Sequence, residues 1–334
     1  MNPTVSIILP TFNRAKFLPA AFAAIKGQTF TDWELIIVDD GSADSTREVV
    51  AELCKSFQQP VHYLHQENQG PAGARNRGLE SASGKYVAFF DSDDEWLPHH
   101  LSQGVHAMDS CEEVDWVFSA CRRIELPTRK VLIDNTFYDE TSRFRSLKTR
   151  RVGELCIIDD PNLRCCGLRG SGFGGMQCTI ARRQVFSKVR FESCSFFEDR
   201  IVLMHAIESN VRFGYFETVN VLVYTHDTNV SFANPDIVRN RITAFRTYIS
   251  TLERLRTELP RNQKELRAFD GRLGHEYFWS LGYPLFQLGN HREALAHMRR
   301  AIYLCPSNLR FIKTYCASIC KVMLGCAPYT VGSN

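Results

Sequence analysis

The chain has 334 residues, 44% of them hydrophobic, and a formal net charge of +3. This apolar content is enough for one large core or two moderate ones, and it excludes general disorder. The small net charge and the lack of a recognisable nucleic-acid module argue against a nucleic acid partner. No secretory leader precedes the first strand pattern, and no apolar run reaches the roughly 18 to 20 residues of a membrane span, so we expect a cytoplasmic protein.

Twelve cysteines are scattered along the chain rather than grouped at the spacing of a disulfide framework. Cys165-Cys166 and the pair Cys316 and Cys320 lack the CxxC spacing and histidine partners of a zinc site. We therefore interpret them as reduced, mostly buried thiols.

The first hundred residues alternate apolar strand patterns with amphipathic helix patterns. Strands are predicted over residues 5–9, 33–38, 61–64 and 86–90, and helices over 16–26, 47–57 and from about 70 onward. This alternation predicts an α/β fold, with a parallel sheet covered by helices on both faces.

The strand pattern from Tyr86 to Phe90 stops at three carboxylates, Asp91, Asp93 and Asp94. In open α/β sheets, ligands bind outside the carboxyl ends of the strands. Asp91 and Asp93 can turn toward one point, and Mn²⁺ or Mg²⁺ is commonly held by carboxylates together with phosphate oxygens. A nucleoside diphosphate with its metal is one interpretation; a solvated turn before a helix opened by residues 95–98 is the other.

Four segments, taken in order, identify a family resemblance: Val5 to Arg14, Val38 to Asp44, Asn68 to Asn76, and Phe90 to Asp94. Together they resemble the family 2 glycosyltransferases, which have the GT-A fold, an α/β domain with a mostly parallel central sheet. The order and spacing of all four motifs make the resemblance specific.

The resemblance implies a role for each matching residue. Pro10, Thr11 and Asn13 would lie along the nucleoside, Asp39 would meet the base, and Arg75 or Asn76 would lie near the nucleotide. The residues expected to bind the nucleotide are Pro10, Thr11, Asn13, Arg14, Asp39, Asp40, Arg75, Asn76, Asp91 and Ser92. The residues expected to bind Mn²⁺ or Mg²⁺ are Asp93, Asp91 and His226, of which His226 is also a candidate for the diphosphate.

A second acidic pair, Glu198-Asp199, follows two phenylalanines and starts an apolar helix pattern. In the resembling family, an acidic pair at this position supplies the general base that deprotonates the attacking hydroxyl. We assign the base to Asp199 and an orienting or capping role to Glu198. The alternative is that both acids simply favour the positive end of a helix.

Residues 143–190 hold eleven Lys or Arg and three acids, a net charge of about +8. Such a segment can steer an anionic acceptor, lie on an acidic membrane surface, or form a solvated loop, and the sequence does not separate these alternatives. Its glycine-rich part, residues 167–175, is predicted to be a mobile acceptor loop.

After residue 238 the pattern is helical, with one long helix over 239–259 and a unit near 275–308 at tetratricopeptide-like spacing. The last helix pattern, 309–324, can lie on a membrane, but its spacing favours a helix that caps the repeat. We predict a GT-A domain over 1–235, with a nucleotide-binding half (1–100) and an acceptor half (101–235), and a helical region over 236–334.

The sequence thus predicts a metal-dependent, inverting glycosyltransferase. It would move a sugar from a nucleotide donor, with UDP or dTDP favoured, to a glycan or lipid-linked acceptor in surface polysaccharide synthesis. The enzyme would work in contact with the cytosolic face of the inner membrane. A nucleotidyltransferase would need a glycine-rich, basic loop after the first strand, which residues 10–14 do not provide. The remaining alternative is a non-catalytic binding protein acting through its helical tail, and that tail is also a candidate for a protein partner or dimerisation.

Overall fold

The computed structural model describes residues 2–139, 145–170, 175–193, 197–226 and 235–324. The chain divides into two compact units. The first comprises Met1–Gly167, Ser171–Ser193 and Phe197–Asn229, and the second comprises Leu168–Gly170, Cys194–Phe196 and Val230–Asn334. Residues 171–174, the central part of the predicted acceptor loop over 167–175, lie outside the described residues.

The first unit is built on one 11-stranded sheet. Its strands are β1 Val5–Thr11, β2 Trp33–Asp39, β3 Val61–His65, β4 Tyr86–Phe89, β5 Glu95–Trp96, β6 Trp116–Glu125, β7 Val131–Ile133, β8 Thr149–Val152, β9 Leu155–Ile158, β10 Thr179–Arg182 and β11 Phe213–Thr225. Its helices are α1 Leu18–Lys26, α2 Thr46–Cys54, α3 Gly70–Ser81, α4 His100–Ser110, α5 Thr136–Asp139, α6 Leu163–Leu168, which ends at the boundary with the second unit, and α7 Glu198–Glu208, with 3₁₀ turns at Met176–Cys178 and Arg183–Ser187.

The strand order is β3-β2-β1-β4-β10-β6-β11-β9-β8, with β5 beside β11 and β7 beside β6. The strands β3, β2, β1 and β4 are all parallel, whereas β10 runs antiparallel to both of its neighbours. The α/β class predicted from the strand and helix alternation is confirmed.

Apolar side chains cover both faces of the sheet because successive residues of a strand point in opposite directions. In β1, Val5, Ile7 and Leu9 join one buried cluster and Ile8 joins the other. Helix α3 packs closely on Ile8 at Gly78, where an added Cβ would lie 2.4 Å from the isoleucine Cγ2. This close packing fixes the helix that carries Arg75 against the centre of the sheet.

Two parts of the sequence differ from expectation. Glu95–Trp96 forms a short strand against β11, and the helix begins only at His100. The basic segment contains the hairpin β8–β9, which the sequence analysis did not predict. Every residue of β8 is exposed, so the strand has no apolar pattern by which to recognise it.

The second unit is helical. It contains α8 Pro235–Glu258, α9 Gln263–His275, a π-helix over Glu276–Gly282, α10 Tyr283–Gln287, α11 His291–Leu304 and α12 Leu309–Met323. Helix α12 packs on the preceding helices through Phe311, whose ring stacks on Phe278 with centroids 4.5 Å apart. Among the described helices, none has the length and apolar character needed to span a bilayer.

Candidate active site

The carboxyl ends of β1, β2 and β4 lie side by side in the sheet. Thr11 is in register with Asp39, and Ile8 is in register with Phe89 at the end of β4. The loops that follow these strands therefore leave the same edge of the sheet, as the pattern of acidic strand ends predicted.

Asp39 ends β2 as a buried carboxylate. Its Oδ1 accepts from the backbone N–H of Ser42 at 2.9 Å, and its Oδ2 accepts from the hydroxyl of Tyr63. Burial and the hydrogen bond to Asp39 raise the pKa of Tyr63 to about 12. Tyr63 therefore remains a protonated donor, and each Asp39 oxygen keeps a lone pair for a further donor.

Asp40 is also buried, but its oxygens are used to order the start of α3. Oδ1 accepts from the Gln66 side chain at 2.7 Å and from the backbone of Gln69 at 2.8 Å, while Oδ2 accepts from the backbone of Gly70 at 2.8 Å. Gly70 has φ +76°, a conformation that favours glycine. This is the hydrogen-bonding pattern of a helix cap.

Asn13 bridges the loops after β1 and β2. Its side-chain oxygen accepts from the backbone of Ala43 at 2.8 Å and of Asp44 at 3.3 Å, and its own N–H donates to Ser42 Oγ at 2.8 Å. Asn13 adopts φ +53°, which asparagine tolerates better than most residues. The residue thus holds two loops of the crevice together.

Asn76 has a comparable bracing role on α3. Its amide donates to the carbonyl of Phe191 at 2.8 Å and accepts from the N–H of the same residue at 3.1 Å. Both backbone groups of Phe191 are therefore satisfied by one side chain, which ties α3 to the segment before α7.

Arg75 joins the two acidic motifs. Its Nη2 donates to Asp91 Oδ1 at 2.8 Å and its Nη1 donates to Glu198 Oε1 at 2.6 Å. Burial disfavours the charge, but the two carboxylates outweigh it and keep the pKa of the guanidinium above its ordinary value. Arg75, Asp91 and Glu198 form what we call the charged bridge. It connects the loop after β4 to the first turn of α7.

The acidic pair at the start of α7 keeps unused hydrogen-bonding capacity. Glu198 Oε2 is buried, and no hydrogen-bond partner for it lies among the described residues. Asp199 Oδ1 accepts from the backbone of Arg200 at 2.7 Å. Burial, followed by the charge of Glu198, raises the pKa of Asp199. A carboxylate that is harder to ionise is also a stronger base.

The acidic loop after β4 holds a second group of charges. Asp93 Oδ2 lies 3.6 Å from Arg14 Nη2 and 3.4 Å from His226 Nε2. Burial and the neighbouring Asp91 raise the pKa of Asp93. Asp94 accepts from the backbone of Tyr224 at 3.2 Å, and burial together with the charges of Asp93 and Asp91 raises its pKa well above the usual range.

The remaining predicted residues lie along the same edge. Pro10 and Thr11 end β1, and Thr11 Oγ1 is a buried oxygen without a hydrogen-bond partner among the described residues. Ser92 is buried between Asp91 and Asp93. The structure therefore brings Arg14, Asp93 and His226 together and separately joins Arg75, Asp91 and Glu198.

Several aromatic partners were missed at the sequence level. Phe17 stacks on the ring of His226 at 4.8 Å between centroids, and Tyr63 donates to Asp39. Phe191 lies under the Arg75 guanidinium, 5.6 Å from ring centroid to Cζ. A single aromatic residue in a loop or strand carries no signal for such contacts, because the partner is distant in sequence.

Asp93, Asp91 and His226 are the residues expected to hold a divalent metal. Within the described residues, no group of three or more His, Cys, Asp or Glu side chains is arranged to hold a cation. Mg²⁺ sites, however, commonly use one or two carboxylates and take their other ligands from phosphate and water. Burial and then the charge of Asp91 raise the pKa of Asp93, and a bound cation would favour its ionised form. The donor set therefore fits a divalent metal held jointly with a diphosphate.

Known proteins resemble this chain in sequence. Putative teichuronic acid biosynthesis glycosyltransferase TuaG of Bacillus subtilis (strain 168) is 39% identical over 164 residues, covering 48% of this chain and 63% of TuaG. A Campylobacter jejuni GalNAc(5)-diNAcBac-PP-undecaprenol beta-1,3-glucosyltransferase is 46% identical over 101 residues, covering 30% of this chain and 33% of the relative. The matched region thus spans about a third of that second relative's length.

Solved structures share the fold. S. aureus TarS 1-349 in complex with UDP superposes with a TM-score of 0.61 at 16% identity, covering 97% of this chain and 92% of that one. The mannosyltransferase PcManGT from Pyrobaculum calidifontis, in complex with GDP-Man and Mn²⁺, gives a TM-score of 0.57 at 15% identity, covering 96% and 81%. These similarities confirm the predicted GT-A fold with a helical C-terminal region.

The family assignment rests on a longer match. The family model for "Glycosyl transferase family 2" matches residues 6–188, which is more than half of the chain and includes the charged bridge except for Glu198. The chain belongs to glycosyl transferase family 2.

Proposed function

We propose that this chain transfers a sugar, with inversion, from a nucleoside-diphosphate donor to a hydroxyl of a glycan or lipid-linked acceptor in surface polysaccharide synthesis. We assign the transfer to residues 1–235, with 236–334 as a helical region. The observation that carries the proposal is the charged bridge, because it joins the acidic loop after β4 to the helix that starts with Asp199. The names of TuaG and of the undecaprenol-linked glucosyltransferase support this class of acceptor.

Asp199 is the proposed general base. An attacking hydroxyl must lose its proton as its oxygen bonds to the anomeric carbon, and Asp199 has a raised pKa that suits proton acceptance. The bond from the anomeric carbon to the diphosphate breaks on the opposite side of the sugar. This single displacement inverts the anomeric configuration and leaves no covalent bond between sugar and enzyme.

Asp93, Asp91 and His226 would hold Mn²⁺ or Mg²⁺. When bound, such an ion neutralises negative charge on the departing diphosphate. The Arg14 guanidinium, 3.6 Å from Asp93, adds a fixed positive charge on the same side of the crevice. Arg75 is already engaged by two carboxylates, so its contribution near the nucleotide is to hold Asp91 in place.

The donor nucleotide is proposed to be UDP or dTDP. Both uracil and thymine present an N–H to an acceptor, and Asp39 keeps lone pairs beyond its bonds to Ser42 and Tyr63. Pro10, Thr11 and Asn13 would lie along the nucleoside, where Thr11 Oγ1 has no partner of its own among the described residues. The TarS complexes with UDP and UDP-GlcNAc favour a uridine donor.

Calorimetry tests the donor and the metal together. The protein is titrated with UDP, dTDP and GDP, each with and without Mn²⁺, alongside Asp93→Asn and the exposed control Asp159→Asn. We expect UDP or dTDP to bind only with metal, and Asp93→Asn to weaken binding at least about tenfold, or about 1.4 kcal/mol. Absence of binding by all three nucleotides would contradict the proposal.

The stereochemistry is tested without knowing the acceptor. Many transferases slowly hydrolyse their donor, because water can take the place of the acceptor. UDP-glucose and UDP-N-acetylglucosamine are therefore incubated with the enzyme, and proton NMR identifies the anomer of the first sugar released. An α-linked donor should give the β-anomer before mutarotation. Early release of the α-anomer would contradict inversion.

A further inference from the structure

The outer face of α12 is a surface without a described neighbour. Leu309, Cys316, Cys320 and Met323 are exposed and recur at helical spacing, so they share one side of the helix. Leu309 and Met323 are 67% and 81% exposed, and the following residue, Leu324, is 76% exposed. The opposite side of the helix is buried through Phe311 and Ser318.

Cations border this apolar stripe. Lys313 lies next to the stripe, with Arg310 and Lys321 along one flank, as the 100° step of an α-helix requires. Lys313 and Lys321 are exposed and have no carboxylate partner among the described residues, while Arg310 lies over Trp279 at 4.7 Å. The surface is therefore apolar along its centre and positive at its edge.

The C-terminal sequence that contains α12 carries positive charges and no negative ones. From Ala294 to Asn334 there is no Asp or Glu, whereas there are five Lys or Arg: Arg299, Arg300, Arg310, Lys313 and Lys321. A second copy of the chain docked through this face would bring like charges together. An anionic bilayer would instead meet positive charge with negative charge and accept the apolar stripe at the boundary between headgroups and acyl chains.

We propose that the exposed face of α12, which we call the terminal surface, docks onto anionic lipid bilayers. The terminal surface consists of Leu309, Arg310, Lys313, Cys316, Cys320, Lys321, Met323 and Leu324. The helix lies along the membrane surface rather than crossing it, because its 15 residues also carry three cations and one side packs on the protein. The inference does not depend on the transfer reaction, since it concerns a surface outside the catalytic residues.

The test is sedimentation of the full chain with vesicles of phosphatidylcholine alone or with about one third phosphatidylglycerol. We expect binding to the anionic vesicles, weak or no binding to the neutral ones, and weaker binding at high salt. Lys313→Gln with Lys321→Gln should reduce the partition coefficient about 25-fold, or about fivefold for each lysine removed. As the control, Lys26→Gln with Lys188→Gln removes the same charge from exposed sites in the first unit. This pair should change the partition coefficient little.

The apolar contribution is tested by Met323→Gln with Leu324→Gln. Both side chains are mostly exposed, so the variant should keep the wild-type unfolding transition while losing most of its vesicle binding. Equal binding to neutral and anionic vesicles, or equal losses in the two lysine pairs, would overturn the proposal. The proposal would also be overturned if the wild type were a dimer in solution and Met323→Gln with Leu324→Gln converted it to a monomer without changing vesicle binding. The terminal surface would then be a subunit interface.

Discussion

Two groups of polar residues at the same edge of the sheet differ in how their hydrogen bonds are satisfied. Asn13 and Asp40 accept hydrogen bonds from neighbouring protein groups and brace the loops and helix around them. Asp93 and Asp199 have raised pKa values, and Glu198 keeps a buried oxygen without a partner among the described residues. The first group holds neighbouring loops and the start of α3 together. The second group retains the charge and capacity that a substrate can use.

The largest expected effect comes from removing the proposed base. Asp199→Asn keeps the size of the side chain but cannot accept the proton, so kcat should fall about 10²- to 10⁴-fold. UDP affinity and the unfolding midpoint should stay close to wild type. The measurement is steady-state transfer or donor hydrolysis, with exposed Asp159→Asn as the control. A variant with near wild-type kcat would place the base elsewhere.

The pH dependence of the reaction follows from the same residue. Burial and Glu198 raise the pKa of Asp199 above its usual value near 3.9, and the base acts only when deprotonated. The rate at saturating donor should therefore fall as pH decreases through this raised pKa, at a higher pH than an ordinary aspartate would cause. The residual rate of Asp199→Asn should lack this acidic limb. An unchanged limb in that variant would assign it to another group.

The charged bridge should contribute more to stability than an exposed ion pair on the same helix does. Arg75→Met leaves Asp91 and Glu198 without their shared buried cation, and the free energy of unfolding should fall by about 3 to 5 kcal/mol. Arg77→Met, on the same helix, removes only an exposed pair with Glu80 and should cost less than about 1 kcal/mol. Denaturant unfolding compares the two. Equal losses would mean that the bridge adds no special stability.

A smaller effect is expected in the bracing group. Asp40→Asn replaces an acceptor of three hydrogen bonds with an amide that must present its NH₂ to at least one donor. The free energy of unfolding should fall by about 1 to 2 kcal/mol, as for loss of a helix cap. Donor affinity measured by calorimetry should change less than about twofold. A large loss of affinity with unchanged stability would instead support direct contact between Asp40 and the nucleotide.

The sequence predicts the parallel half of the sheet well because each strand is a predominantly apolar run followed by a polar loop. It does not predict the β8–β9 hairpin, because β8 is exposed throughout and carries no periodic signal. The start of α4 was also predicted too early, since Glu95–Trp96 pairs with β11, a strand more than a hundred residues away.

The residue types of the site could be predicted, but their pairing could not. Arg75 and Glu198 are 123 positions apart, and no local pattern relates two residues at that distance. The same limit applies to Asn76 and Phe191 and to Asp93 and His226. Their contacts depend on how α3, α7 and the end of β11 pack on the sheet, which a single sequence specifies only through the complete fold.

A double-mutant cycle between Arg75→Met and Glu198→Gln tests the central claim, that the charged bridge physically joins the acidic loop after β4 to the helix bearing Asp199. The free energy of unfolding is measured for the wild type, both single variants and the double variant. Glu198→Gln removes one end of the bridge, so the two changes should be non-additive, with a coupling energy of at least about 1.5 kcal/mol. Additivity within about 0.5 kcal/mol would contradict the claim, because two independent side chains would then account for the stability.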